Sequence, residues 1–155
     1  MAETQTARRP RGSSKVWSDA ERAAMQEGAR ERKKTGRLTP EEERAQGEAD
    51  IQAKIAEMPE GDRAMARRVH ELVLATAPHL VPRTYYGMPA YARDGKTVCF
   101  FKPASKFKER YSTLGFEQHA QLDDGTMWPT SYALIEVTPA AEARIAELVK
   151  KAARG

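Results

Sequence analysis

One cysteine in 155 residues, Cys99, excludes an intramolecular disulfide framework and a multi-cysteine zinc cage. No apolar run approaches the roughly 18 residues that a membrane-spanning helix needs. The opening residues, MAETQTARRPRGSS, are basic but contain no apolar segment, so no secretory signal is expected. No phosphate-binding glycine loop, dinucleotide fingerprint, nucleophile elbow or paired-histidine zinc motif occurs. No catalytic residue is assigned on this basis, and a non-catalytic role is preferred. Neither sign of charge dominates: 26 basic and 22 acidic side chains leave a net charge of +4. The excess is spread over both sides of Pro59, too thin for a dedicated nucleic-acid binder. A lone thiol without an export signal fits the reducing cytoplasm.

What is present reads as a run of helices, then short strands, then a helix. Residues 1–15 hold Arg8, Arg9 and Arg11 among turn-formers and serines, and are expected to form a disordered basic arm. Residues 16–57 read as a charged helical extension. Ser18 followed by Glu21 is a capping-box pattern that starts a helix from Asp19 to about Lys34, with a thin apolar face of alanines and Met25. Thr39 and Pro40 start a second, with an acidic first turn and an apolar stripe confined to Ile51, Ile55 and Met58. Both helices are expected to be mostly solvated. The turn cluster Met58–Asp62 opens a compact domain over residues 58–155. Met65, Val69, Leu72 and Val73 give its first helix a buried stripe.

The pattern turns to β from Arg83. Short strands are expected at 84–86, 90–93, 96–102, 110–116 and 132–137, with Asp94-Gly95 as a hairpin turn. The stretch 96–102 is apolar on both faces and is expected to be central. Thr138-Pro139 starts the last helix. The expected class is α+β: an antiparallel sheet of about five strands backed by helices.

Few side chains offer chemistry. His70, His79 and His119 have no metal-ligand spacing and read as ordinary surface or boundary histidines. Cys99, between Val98 and Phe100, reads as a buried, inert thiol. Asp123-Asp124-Gly125 reads as a turn rather than a calcium loop. The basic loop 102–110, with Phe107 inside it, suits the phosphate and base contacts of a weakly bound nucleic acid, or a contact with a protein, but a solvated hairpin loop outweighs that reading. Two irregular segments stand out: Tyr85 to Tyr91, with three tyrosines around Gly87-Met88-Pro89, and Met127-Trp128-Pro129. A groove lined by Tyr85, Tyr86, Met88, Tyr91 and Trp128, with Lys102 and Lys106 for an anionic group, is the candidate ligand site. Its occupant would be a small anionic ligand or a protein partner.

Tyr86-Gly87-Met88-Pro89-Ala90-Tyr91 resembles the signature of the YdhG-like family, a bacterial domain of unknown function. The helix ending at Ala77-Pro78 and the apolar strand after Gly95-Lys96 fit as well, and the likeness runs from about Met58 to Lys151. The stretches 102–107 and 122–129 look like one branch of that family. The resemblance implies a frataxin-like fold. Since some members have been proposed as intracellular iron chaperones, it also implies possible iron binding through carboxylates. The acids of the matched region are scattered, so no iron site is carried over. Asp123, Asp124 and Glu136 are the candidate ligands, and no cofactor is predicted otherwise.

Overall fold

The computed structural model describes residues 16–34 and 38–154. The basic arm expected over residues 1–15 lies outside them. Three helices come first: α1 (Asp19–Lys34), α2 (Pro40–Ala56) and α3 (Glu60–Thr76). A five-stranded sheet follows, formed by β1 (Val81–Tyr85), β2 (Met88–Arg93), β3 (Lys96–Lys102), β4 (Ser112–Phe116) and β5 (Ser131–Leu134). The short α4 (Ala104–Phe107) joins β3 to β4, and α5 (Pro139–Ala152) ends the chain. The architecture is α+β. The strands pair antiparallel in sequence order, so β3 is central.

The helix starts follow their capping residues. Ser18 Oγ accepts the Glu21 N–H at 3.1 Å, Thr39 Oγ1 that of Glu42 at 3.2 Å and Thr138 Oγ1 that of Ala141 at 3.1 Å. Pro40 and Pro139 occupy first helical positions, where no N–H is required. Asp94 and Gly95 both take positive φ, as a two-residue hairpin demands. Pro82 is tolerated because β1 is an edge strand.

Alternation along the strands sorts the sheet into two faces. Tyr91, Cys99, Phe101, Leu114, Phe116 and Leu134 share one face and join a single core with Ile51 and Ile55 of α2, Val69 and Val73 of α3, and Ile145 and Val149 of α5. Arg68 ties α3 to α5 through two hydrogen bonds to Glu142, at 2.6 and 2.9 Å. The other face carries Arg83, Tyr85, Met88, Ala90, Phe100 and Lys102, none of which enters that core. Phe100 lies across Gly115 on the neighbouring strand, where a Cβ would come within 2.2 Å of its ring. Gly115 therefore makes room for an aromatic ring.

Several expectations are corrected. The second helix is not loosely solvated: Ile51 and Ile55 are fully buried, and α2 is a wall of the core. Tyr86 is not a strand residue but the first residue of the β1–β2 turn. The last strand stops at Leu134, leaving Ile135 74 % exposed. His70 is no boundary histidine. It is 6 % exposed, with Nδ1 2.8 Å from the Tyr91 hydroxyl and Nε2 2.9 Å from a Glu48 carboxylate oxygen. Among the described residues, no helix is long and apolar enough to cross a membrane.

Candidate functional site

The β1–β2 turn consists of Tyr86 and Gly87, with φ of 50° and 75°, closed by the pair Tyr85 and Met88. Two successive residues at positive φ are the pattern of a type I′ hairpin turn, and they aim adjacent peptide N–H groups outward together. Both N–H groups donate to one carboxylate: Tyr86 N to Glu31 Oε2 at 3.1 Å and Gly87 N to Glu31 Oε1 at 3.2 Å. Glu31 belongs to α1, 55 residues away from Tyr86 in sequence.

Two lysines stand beside this pair of donors. Lys106 of α4 donates from Nζ to the Gly87 carbonyl oxygen at 3.2 Å and lies 3.7 Å from Glu27 Oε2. Lys54 of α2 lies 3.0 Å from the same Glu27 oxygen and 3.6 Å from Glu57 Oε2. Glu27 Oε2 is buried, and neither lysine meets it in hydrogen-bonding geometry, so its contacts are ionic. Burial pulls the Lys106 ammonium below the ordinary lysine range, against the opposing pull of Glu27. Burial would lower Lys54 too, but the carboxylates of Glu27 and Glu57 outweigh it and hold Lys54 above its usual value. A cavity of about 280 Å³ opens between Lys54, Asp62, Gly87 and Lys106.

Each part has a structural support. Asp62, near the start of α3, accepts the Ser105 N–H at 3.0 Å, and Ser112 Oγ accepts that of Ala104 at 3.0 Å. Lys108 then ends α4 in a left-handed conformation. Lys106 is thus presented by a pinned helical turn. Gly87 is favoured by its φ, and a Cβ there would displace the flexible ends of Glu27 and Lys106. Gly28 of α1 faces the Tyr86 ring, where a Cβ would come within 2.8 Å.

The expected groove is not formed as a unit. Tyr86 and Lys106 stand at the turn just described. Tyr85 is half-buried on the outer face, edge-on to Tyr86 with ring centroids 4.5 Å apart, and its hydroxyl donates to Glu117 at 3.3 Å. Met88 is buried beside it on β2, 6 % exposed. Tyr91, fully buried, belongs to the opposite, core face and faces no groove. Lys102 pairs with Glu109 and lies over the Phe107 ring at 4.8 Å. Trp128 precedes β5 at the far edge of the sheet, four strand spacings or about 19 Å from β1. There it lines a separate cavity of about 200 Å³ with Tyr132, Arg144 and Leu148. The two aromatic segments of the sequence lie at opposite edges of one sheet.

The metal candidates do not converge. Asp123, Asp124 and Glu136 are exposed, and no group of three or more histidine, cysteine or acidic side chains is placed to hold an ion among the described residues. Cys99 is fully buried, and burial pushes its thiol up to about 12, which leaves it inert at neutral pH. Glu27, Glu31 and Lys54 were not legible as site residues. Glu27 and Glu31 do stand four apart on one helix face, with Gly28 between them, but nothing in the sequence names what they meet. No family model, curated protein or solved structure matches the chain.

Proposed function

We propose that this chain is a small binding module of the YdhG-like kind, and that its site is the corner around the β1–β2 turn. The ligand group is an anion of carboxylate or phosphate geometry. One observation carries this reading: the paired N–H groups of Tyr86 and Gly87, flanked by Lys106, already hold a carboxylate in bidentate fashion. Adjacent peptide donors fix the direction of a planar or tetrahedral oxyanion, and a partly desolvated ammonium supplies charge where water screens it less. The reading is recognition of an anionic group by donors and charge.

The iron-carrier alternative would require several carboxylates around one point, and Asp123, Asp124 and Glu136 do not supply them. In the loop 102–110, Lys102 is engaged by Glu109 and Lys106 faces the corner, which leaves Lys108 and Arg110 for a nucleic-acid contact. Neither alternative has an observation in its favour that matches the bound carboxylate. The buried thiol of Cys99 is at home in a reducing compartment, and we assign the protein to the cytoplasm.

The test is a thermal-shift titration with inorganic phosphate and with succinate. It is run on the full chain carrying Glu27→Ala and Glu31→Ala, which empties the corner. Millimolar anion is expected to raise the melting temperature of this variant, and to raise it less when Lys106→Ala is added. Equal shifts with and without Lys106 would overturn the assignment.

A further inference from the structure

The corner is filled by the chain's own α1, and the way α1 is held describes what else could sit there. Its grip on the body is polar. Glu31 caps the two turn N–H groups, Glu27 meets Lys54 and Lys106, and Gly28 lets the helix approach the Tyr86 ring. Among the described side chains of α1, Ala24 is the one buried apolar group, and none joins the core. Cavities of about 150, 240 and 280 Å³ open along its contact with the body, so the fit is loose compared with a protein interior. A helix that sends no described side chain into the core and leaves cavities along its contact with the body is among the first parts of a fold to detach. Without α1 the corner presents two ammonium groups and two peptide donors, beside the carboxylates of Glu57 and of Asp62, which is engaged by the Ser105 N–H.

Resting on the anion-site reading above, we propose that α1 is a displaceable internal ligand. The surface beneath it is a docking site for an acidic helix of a partner protein. The recognition code is the one α1 displays: carboxylates four residues apart, the first followed by glycine or another small residue. The first carboxylate sits between Lys54 and Lys106, and the second lies across the turn. In the resting chain α1 competes in cis at the high effective concentration of a tethered group. A partner therefore gains access when α1 is released or outmatched.

The test uses full-length protein and, as probe, a fluorescent synthetic peptide of residues 16–34 of this chain. The Glu27→Ala/Glu31→Ala chain keeps a good helix former at both positions but vacates the corner. It is expected to bind the probe at least tenfold more tightly than the unaltered chain. Binding should be lost when Lys54→Glu and Lys106→Glu are added, or when the probe itself carries alanine at 27 and 31. Glu31→Ala alone, a milder change, should give an intermediate gain. Equal binding by the unaltered and vacated chains would overturn the proposal, as would binding indifferent to the lysines. Sedimentation separates the remaining occupant: a monomer supports a foreign helix, whereas a dimer dependent on Glu31 would overturn it in favour of a second copy. If phosphate stabilises the vacated chain but the probe does not bind, the helix proposal falls and the anion site stands. If neither binds, both fall.

Discussion

Replacing Gly87 with alanine puts a side chain at φ 75° and makes the ends of Glu27 and Lys106 give way. The expected loss of stability is about 1–3 kcal/mol, read from denaturant unfolding; a change within about 0.5 kcal/mol, typical of surface substitutions, would contradict the packing described. Tyr91→Phe tests a different residue of the same motif. It removes the hydroxyl that partners the buried His70 ring and should cost about 1–3 kcal/mol, with the fold retained. Glu48, at the other end of that chain of contacts, gives a pH signature. Burial would raise its carboxyl, but hydrogen bonds from Gln52 and His70 outweigh this and set it below 4.5. A depressed folded value stabilises above the unfolded value and loses that contribution as pH falls through the folded one. The stability gap between the native chain and Glu48→Gln should therefore hold near neutrality and narrow in acid below 4.5. The resemblance at 86–91 singled out Gly87 and Tyr91 together, yet one shapes the proposed binding corner and the other anchors the core. A one-dimensional motif does not separate the two, because Gly87 lies in the turn whereas Tyr91 lies inside β2 on its core face.

Helices and strands differed in how far they could be read. The Ser18, Thr39 and Thr138 caps marked three helix starts correctly, because capping is local chemistry. The end of β1 was missed because Tyr-Gly lacks the usual asparagine or aspartate of a I′ turn. The burial of α2 was missed because only Ile51 and Ile55 mark its core face, the remainder of the contact being made by backbone approach at Gly47. A Cβ at Gly47 would stand 1.8 Å from the Pro82 carbonyl oxygen. Helix propensity alone favours Gly47→Ala by about 1 kcal/mol. The close contact of α2 with β1 predicts the reverse, a clear fall in melting temperature. A stabilised Gly47→Ala chain would mean that α2 does not press on β1.

The arrangement as a body explains why the expected groove dissolved. All three core helices cover one face of the sheet, so aromatic segments at its two edges cannot close on each other across it. The corner that replaces the groove draws on α1, α2, α4 and the β1–β2 turn, four pieces separated by up to 79 positions, from Glu27 to Lys106. Such a constellation has no spacing rule, and only the fold assembles it. Lys106 was legible because it sits in a basic loop; its partners were not, because charged residues on exposed helices are common. The proposed role of the molecule rests on the peptide N–H groups of Tyr86 and Gly87 acting as an anion receptor. Two-dimensional amide NMR of the Glu27→Ala/Glu31→Ala chain, titrated with inorganic phosphate, reads those two amides individually. Saturable shifts led by the Tyr86 and Gly87 amides, weakened by Lys106→Ala, are expected. Shifts that leave those two amides still, or that spread evenly over the basic surface, would contradict it.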